Sequence, residues 1–593
     1  MTESTPGLHP VRFGAFELDL RSRELRKNGI KISLQDQPFQ VLVLLVQRAG
    51  EMVTREELRK KLWAADTFVD FEAGLNTTIK KIRIALTDSA EDPTFVETLQ
   101  RRGYRFIAPV TPPQVPFPPV PIRAVEREKP EKVLLAVLPF RNLSTDPNQE
   151  FFSDGMTEEM IAHLGMISPR KLGVIAGTSV MKYRDSTKGG SEIGQELGVE
   201  YILEGSVQRD GERIRVVAGL KQVSDQAYLW TDSSEHSLTD IFAVQTKVAR
   251  RIADSLKVEL LPGQNGHSAG PSAEAYEHYL KGRFFWNKRT EDDLNKGIGY
   301  FNRAIALDRG YAQAYAGLAD CHAMLGWNSM LPPGIALPTA KAAAVKALEL
   351  NDGLTEAHAS LAFCKMFHEW DWAGAEREFK RAFDLNPSYP VARPWYAFEL
   401  SALGRHEEAS AEVRRALQLD PFSLAIGASA GLVLSLAGQH DEAIKQCLET
   451  LEMDAKGFYQ THFVLGTSYA VKGMVDEAVK SLHTAIELSN RNPHMLAALG
   501  HTLAVSGRTE EARALITELR ERGDHRHVPP FNIAMVYAGL GERDEAFKWL
   551  EKAYECRSLW LIFLNVHPMF ENLRPDPRFS ALARRMGLPA ITS

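Results

Sequence analysis

Cysteine is scarce in this chain of 593 residues, which has only four. They are widely spaced, and each falls in a segment with helical periodicity: Cys321, Cys364, Cys447 and Cys556. No pair has the spacing of metal ligands, and small disulfide scaffolds are far denser in cysteine. We therefore expect reduced thiols in helical cores and no metal site.

Long hydrophobic runs and a secretion signal are also missing. The N-terminus has neither the basic nor the apolar stretch of a signal peptide. Every apolar run is shorter than the roughly 20 residues that a membrane span needs. The longest are Val41–Val46, Val133–Phe140, Leu559–Leu564 and the glycine-containing Leu424–Gly438. We expect no membrane segment and a cytoplasmic protein.

Motifs of enzymes that bind phosphates or cofactors are absent as well. The glycines between positions 155 and 211 form neither G-x-x-x-x-G-K-[ST] nor G-x-G-x-x-G after a strand. His163 and His236 are isolated, and no Ser/His/Asp set or carboxylate pair stands out. The sequence thus predicts no catalytic residues, no cofactor and no enzyme activity.

The charge of the chain is unevenly distributed. The net charge is −6, so any surface for nucleic acid must be local. Residues 1–108 hold 17 lysines and arginines against 15 acidic residues, a net of +2, and the remainder is acidic. This asymmetry fits a DNA-binding head attached to a body of other function. The length predicts three or more domains.

The first 110 residues have the element order of a winged helix. Alternating apolar residues over 11–34 predict a small antiparallel sheet, and a helix is expected from about Pro38. Thr54 and Glu57 have the spacing of a capping box that starts a second helix. A third helix is expected over 72–86. Its apolar stripe consists of Leu75, Ile79, Ile82 and Leu86.

The opposite face of this third helix is polar and basic. It presents Asn76, Thr77, Lys80, Lys81 and Arg83. Two β-rich segments, 95–99 and 104–108, flank Gln100, Arg101 and Arg102 and predict a hairpin with a basic tip. Lysine and arginine neutralise phosphates and read guanine, and short polar side chains can approach base edges. A basic helix face alone is more often a solvated surface, but helix and hairpin together favour DNA binding.

The span 11–110 resembles the C-terminal DNA-binding domain of OmpR/PhoB-type response regulators. The matching segments are Arg23–Leu25, Leu42–Leu45, Val53–Leu58, Leu62-Trp63, Ile82–Leu86 and Gly103–Phe106. The resemblance implies that the third helix recognises DNA and that 95–108 is the wing. It assigns DNA contacts to Thr77, Thr78, Lys80, Lys81, Arg83, Thr98, Gln100 and Arg102. The family usually has glycine where this chain has Arg101, so we expect a more basic and less flexible wing tip.

We place the DNA-binding domain at 8–110, and no receiver domain is expected before it. Regulators of the CadC type share this N-terminal position of the DNA-binding domain, but they continue into a membrane span. Residues 111–131 are expected to form an extended, semi-rigid linker, because 109–130 contain eight prolines.

Residues 132–262 are expected to form a small α/β domain. Val133–Phe140 indicates a buried strand, and Glu158-Glu159 the acidic first turn of a helix. Asp210-Gly211 predicts a hairpin turn. The blocks Ala136–Phe140, Phe152–Glu159 and Leu203–Val207 resemble the TolB N-terminal-like domain, which implies a non-enzymatic sensing or interaction role.

Residues 272–590 contain a repeat of 34 or 35 residues, which is the tetratricopeptide signature. Five clear copies start at Gly404, Gly438, Gly473, Gly507 and Gly541, each with an acidic pair and an alanine after it. We expect about eight units, an insertion at Asn328–Pro338 between the first two, and an atypical cap around 570–579. Such arrays form a groove that binds peptides or proteins, and a structural or dimerisation role is the alternative.

The sequence as a whole predicts a bacterial one-component transcriptional regulator. Its fold class is multidomain: an α+β winged helix, a small α/β domain and an all-α tetratricopeptide solenoid. We expect it to bind double-stranded DNA, as a homodimer on two half-sites, and a protein or peptide partner in the repeat groove. The main alternative is a tetratricopeptide scaffold whose winged helix contacts proteins. An enzyme with an unrecognised site in 133–260 is the weakest hypothesis.

Overall fold

The computed structural model divides into two compact units, residues 1–129 and 130–593. The residues that it describes are 11–13, 16–19, 24–27, 30–32, 34, 36–49, 52–55, 57–58, 71–86, 88–89, 93–99, 102–108, 110–111, 132–144, 149–168, 171–237, 240–256, 271–454, 457–523 and 526–590.

The first unit contains two antiparallel sheets and two long helices among its described residues. The helices are α1 (Asp36–Gln47) and α2 (Phe71–Leu86). One sheet has the order β4-β3-β2-β1-β8, and the other has the order β5-β7-β6. The strands are β1 (Val11–Phe13), β2 (Phe16–Asp19), β3 (Glu24–Lys27), β4 (Ile30–Ile32), β5 (Met52–Thr54), β6 (Val96–Leu99), β7 (Gly103–Phe106) and β8 (Val110–Thr111).

The winged-helix layout expected from the sequence is confirmed in this unit. Strands β6 and β7 form the wing hairpin, and α2 covers the span expected for the third helix within one residue. Phe13, Phe16 and Phe106 pack at the centre of a core that both helices cover. The expected second helix lies mostly outside the described residues.

The second unit begins with a six-stranded mixed sheet. Its main path is β11-β9-β12-β13-β14, with β9 parallel to both β11 and β12, and β10 paired to β12. The strands are β9 (Val133–Val137), β10 (Arg141–Asn142), β11 (Leu172–Val174), β12 (Tyr201–Asp210), β13 (Arg213–Gln222) and β14 (Tyr228–Ser237). The helices are α3 (Glu150–Ile167), α4 (Gly177–Met181), α5 (Gly190–Leu197) and α6 (Ile241–Leu256).

One sequence expectation for this region is wrong, and two features were not predicted. Helix α3 begins at Glu150, so Glu158-Glu159 lies in its middle and not in its first turn. Gly155 is helical: a β-carbon there would lie 2.6 Å from the Leu280 side chain, so glycine permits close packing against a repeat helix. Strand β14 was not expected, because its residues lack a regular apolar alternation.

Sixteen α-helices then follow as eight consecutive pairs in the described residues. They are α7 (Ala273–Lys288), α8 (Glu291–Leu307), α9 (Ala312–Trp327), α10 (Pro333–Leu350), α11 (Thr355–Cys364), α12 (Trp372–Leu385), α13 (Ala392–Ala402), α14 (His406–Leu419), α15 (Leu424–Leu436), α16 (His440–Met453), α17 (Tyr459–Val471), α18 (Val475–Leu488), α19 (Pro493–Val505), α20 (Thr509–Gly523), α21 (Pro530–Gly539) and α22 (Arg543–Glu555). We call the first helix of each pair helix A and the second helix B.

The repeat glycines perform the role that their positions predict. Gly404, Gly438, Gly473, Gly507 and Gly541 all have φ between +74° and +83°, and each lies between a helix A and its helix B. Glycine adopts this left-handed conformation without the steric cost of a side chain. The insertion expected at Asn328–Pro338 lies within one pair, and its second half is helical because α10 starts at Pro333.

The chain ends in a C-terminal segment, which we define as residues 559–590. It contains two 3-10 helices, Leu559–Phe563 and Pro568–Leu573, and helix α23 (Pro577–Arg585). Trp560, Phe563 and Phe570 of this segment are buried. It therefore belongs to the hydrophobic core of the second unit.

Candidate nucleic-acid interface

Helix α2 is fixed in the first unit by the apolar stripe that the sequence predicts. Leu75, Ile79, Ile82 and Leu86 are all at most 2% exposed. Because they recur every three or four residues, they hold one side of the helix in the core and leave the other side in solvent.

The exposed side of α2 carries four of the residues expected to contact DNA. They are Asn76, Thr77, Lys80 and Lys81. Thr78, which the family resemblance also assigns to DNA, is only 4% exposed and lies towards the core. The exposed set brings two ammonium groups and two short polar side chains together within about two helical turns, which suits phosphates and base edges.

Arg83 joins the C-terminal half of α2 to the wing. Its Nη2 donates to the Val96 carbonyl oxygen at 2.7 Å and to Thr98 Oγ1 at 2.8 Å. Both acceptors are in β6, so Nη2 of the guanidinium makes its contacts inside the protein. Arg83 thus positions the wing relative to the helix.

A second link joins the N-terminal half of α2 to the wing. The Tyr104 hydroxyl in β7 donates to Asn76 Oδ1 at 3.0 Å and accepts from Arg55 Nη2 at 3.1 Å. The Arg55 guanidinium also lies 5.2 Å from the centre of the Tyr104 ring. Helix and wing are therefore connected at two points, at Asn76 and at Arg83.

Hydrogen bonds also fix the chain before α2 and before β6. Thr54 and Glu57 form the expected capping box, with Thr54 N donating to Glu57 at 2.8 Å and Glu57 N donating to Thr54 Oγ1 at 3.2 Å. The backbone hydrogen bond from Thr54, with Arg48 nearby, lowers the pKa of Glu57 to about 2. The Asp88 carboxylate accepts from the backbone N–H groups of Thr94 and Val96 at 2.7 and 2.8 Å.

The wing presents part of the basic tip that the sequence predicts. Thr98 and Arg102 are exposed, and Arg102 N donates to the Leu99 carbonyl oxygen at 3.0 Å to close the turn. Gln100 and Arg101 lie outside the described residues. In the described part of the hairpin, Arg102 is thus the cation at the tip.

Sequence reasoning missed one residue of this surface. Ile84 is 69% exposed and lies on the same side of α2 as Lys80 and Lys81. The signal was available, because Ile84 falls outside the buried stripe, one residue from both Arg83 and Ala85.

Part of the inner surface of the repeats, which is expected to hold a partner, is covered by the chain itself. The Trp560 ring centre lies 5.5 Å from that of Trp327, 5.7 Å from Phe463 and 3.9 Å from His494. Phe563 contacts Phe398 at 5.8 Å.

Phe570 extends the same contact to the last repeat, where its ring centre lies 5.1 Å from that of Phe531. The contacted rings lie on the A helices of five different pairs, so the C-terminal segment runs along a common interior. Residues 559–573 thus cover part of the groove, and a peptide partner there stays a prediction.

The sheet region packs on the same repeats. Ala176 N donates to the Leu419 carbonyl oxygen at 2.9 Å, and Phe422 N donates to Ser179 Oγ at 2.9 Å. The Tyr279 hydroxyl donates to the Glu159 carboxylate at 2.8 Å. Burial of that carboxyl group raises the pKa of Glu159 to about 7. Sheet and repeats are thereby joined by buried polar contacts.

The described residues contain neither a membrane-spanning helix nor a cluster of metal ligands. No helix there is long and apolar enough to cross a membrane. No group of three or more His, Cys, Asp or Glu side chains there is arranged to hold a metal ion.

Comparison with protein families identifies the first unit. Residues 29–106 match the family "Transcriptional regulatory protein, C terminal". This segment is an OmpR/PhoB-type DNA-binding domain. Residues 531–557, in the last helix pair, match the tetratricopeptide repeat family. The two family resemblances at the ends of the chain are confirmed, and the TolB-like resemblance of the middle region stays a prediction.

The chain is also similar to named bacterial proteins. It is 26% identical over 404 residues to "Transcriptional regulator HilA" of Salmonella typhimurium, covering 67% of this chain and 68% of that protein. It is 28% identical over 101 residues to "Transcriptional activator CadC" of Escherichia coli, covering 17% and 19%.

A third relative is named as an enzyme and not as a regulator. The chain is 34% identical over 260 residues to "Putative adenylate cyclase 3" of Rhizobium meliloti. The match covers 42% of this chain and 42% of that protein, so less than half of the relative is represented here.

Proposed function

We propose that this chain is a transcriptional regulator that binds double-stranded DNA with sequence preference through α2 and the wing. The observation that carries the proposal is the exposed basic face of α2, held to the wing by Arg83 and Asn76. The similarity to HilA and CadC supports the same conclusion.

The proposal assigns separate roles to the residues of the interface. Lys80, Lys81 and Arg102 bind phosphates or guanine, and Asn76 and Thr77 lie where they can approach base edges. Arg83 and Thr98 position the wing. Gln100 and Arg101 continue the basic tip and stay assigned to DNA by the family resemblance alone.

The test measures DNA binding by the full chain. DNA fragments selected from a genomic library are titrated with the wild type and with Lys80→Ala/Lys81→Ala at several salt concentrations. Each lysine that binds a phosphate contributes about one unit to the slope of log K against log salt. We expect the double variant to bind more weakly and with a slope smaller by about two.

A matched control removes two lysines from another exposed surface. Lys445 and Lys480 lie on helices of the repeats and are exposed. The variant Lys445→Ala/Lys480→Ala should bind the selected DNA as the wild type does. Equal losses in both double variants, or no sequence enrichment with the wild type, would contradict the proposal.

We also propose that the repeats bind a protein partner at their outer surface. Part of their inner surface is covered by Trp560, Phe563 and Phe570, whereas Leu448 and Leu488 on B helices are 45% and 43% exposed. Chemical cross-linking of partners recovered with the full chain should therefore map to B helices. Cross-links confined to the A helices would contradict this placement.

A non-enzymatic role, a cytoplasmic location and a homodimer on two half-sites complete the proposal. Similarity to regulators supports the first, and binding of chromosomal DNA requires the second. The adenylate cyclase name belongs to a relative of which this chain represents 42%. Incubation with ATP should yield no cyclic AMP, and light scattering of the DNA complex should give two chains per operator.

A further inference from the structure

Ile84 has an unusual position for an exposed isoleucine. It lies seven residues after Thr77, four after Lys80 and three after Lys81, all of them exposed on α2. At about 100° per residue, Ile84 projects within about 20° of Thr77 and between the directions of the two lysines. It is thus at the middle of the face that the proposed function assigns to DNA.

Among the described residues of the first unit, Ile84 has no part in the hydrophobic core. The side chain is 69% exposed, and it does not belong to the hydrophobic core, which takes Ile79, Ile82 and Leu86 from the same helix. Its neighbour Arg83 is committed to Val96 and Thr98. Folding therefore does not explain the choice of an isoleucine at this position.

The chemistry of the DNA major groove offers an apolar group of matching size. Thymine carries a C5 methyl group there, and the other three bases present only donors and acceptors in that pattern. An isoleucine between two phosphate-binding lysines would reach the groove floor together with Thr77. Burial of both apolar groups would then be favourable only opposite an A·T pair of one orientation.

We propose that Ile84 recognises a thymine methyl group and so sets the preference for an A·T pair at one position of each half-site. This inference rests on the proposed function, because it needs α2 to lie in the major groove. It adds a direct base reader to a surface whose other members are cations or short polar side chains. The alternative occupant of Ile84 is a second copy of the chain.

The test removes the methyl group from the DNA and the isoleucine from the protein in turn. The best selected operator is synthesised with single deoxyuridine replacements, which delete only the C5 methyl of one thymine. Loss of one buried methyl corresponds to about 0.8 kcal/mol, or about a fourfold loss of affinity. We expect this loss with the full wild-type chain at one thymine in each half-site.

The variants decide whether Ile84 is the partner of that thymine. Ile84→Ala should bind the normal operator about fourfold more weakly and should no longer distinguish thymine from deoxyuridine at that position. Ile84→Val, which keeps a branched apolar group, should retain most of the discrimination. Ile335→Ala, at an exposed isoleucine of the repeat helix α10, should behave as the wild type.

The outcomes separate this inference from the proposed function. If the wild type selects an operator but no thymine is sensitive, or if Ile84→Ala keeps the sensitivity, the inference is overturned and DNA binding stands. If Ile84→Ala weakens only self-association, Ile84 is a contact between copies and the inference is again overturned. If the wild type selects no operator, the proposed function itself fails.

Discussion

On helix α2 the side chains assigned to binding, such as Lys80, are exposed, whereas on the repeats the residues expected to face a partner are covered by the C-terminal segment. The cationic face of α2 is held in place by hydrogen bonds that join Arg83 and Asn76 to the wing. The A helices instead present rings, such as Trp327 and Phe463, that pack on Trp560.

This difference has a physical basis in the two kinds of side chain. Lysines keep their hydration in the absence of a partner, so a surface for a polyanion remains open in the isolated protein. Exposure of aromatic rings to water is unfavourable, so an apolar groove is stable only when some segment covers it. An aromatic lining in a repeat array therefore indicates an interior as readily as it indicates a peptide site.

The largest expected effect concerns the covering of that groove. Trp560→Ala removes a ring that touches Trp327, Phe463 and His494, so we expect the second unit to lose about 3–5 kcal/mol of unfolding free energy. Urea unfolding followed by circular dichroism measures the loss. Val505→Ala, at an exposed valine of α19, should change it by less than about 0.5 kcal/mol. A Trp560 variant as stable as the wild type would show that the segment is not part of the core.

The next largest effect is the pH dependence of the unfolding free energy that His494 causes in the same interior. Burial lowers the pKa of His494 to about 4, although its Nδ1 lies 2.9 Å from Asn532 Oδ1. The unfolded chain binds this proton near pH 6.5, so the contribution of His494 is fully present above pH 6.5. It is lost as the pH falls towards 4, at about 1.4 kcal/mol per pH unit and about 3 kcal/mol in total.

A variant without the titrating group isolates this contribution from the other buried acids and bases. Between pH 7 and 4.5, the unfolding free energy of His494→Gln should fall less steeply than that of the wild type. His483→Gln, at an exposed histidine of α18, should follow the wild-type profile. Parallel profiles for all three proteins would mean that His494 is accessible to protons in the folded chain.

The parts of the fold that could be predicted from the sequence are those set by local periodicity. The stripe Leu75–Leu86 and the repeat glycines follow rules that act within about four residues, and the structure agrees with both. The reason for glycine at position 155 is not visible in the local pattern, because it is contact with Leu280, far away in the chain. The position of Trp560 likewise depends on distant residues, because its ring contacts Trp327, Phe463 and His494 of three different helix pairs.

The candidate site divides in the same way. Helical geometry placed Lys80 and Lys81 on the exposed face. The double hydrogen bond of Arg83 depends on where β6 returns to the helix, and a basic residue at that position gives no sign of whether its partner is DNA or protein. The helical periodicity also places Ile84 on the exposed face, but a search for basic residues does not select it.

A smaller effect tests the connection between helix and wing. Arg83→Gln should lose the hydrogen bonds to Val96 and Thr98, at a cost of about 1.5–3 kcal/mol for bonds from a charged donor. Hydrogen–deuterium exchange of the full chain should therefore become faster in β6. Arg102→Gln, at an exposed arginine of the wing turn, should weaken DNA binding without changing exchange. Unchanged exchange in the Arg83 variant would return that residue to the set of direct DNA contacts.

The smallest effect on stability belongs to the DNA-facing side of α2 itself. Lys80→Ala should change the local stability of the helix by less than about 0.5 kcal/mol, because the side chain is exposed. Ile79→Ala, one residue earlier on the buried side, should cost about 2–5 kcal/mol. Exchange of the backbone amides in 71–86 measures both in the full chain. A large loss for Lys80→Ala would mean that the lysine supports the fold, and the contrast between an open DNA surface and a partly covered groove would then fail at α2.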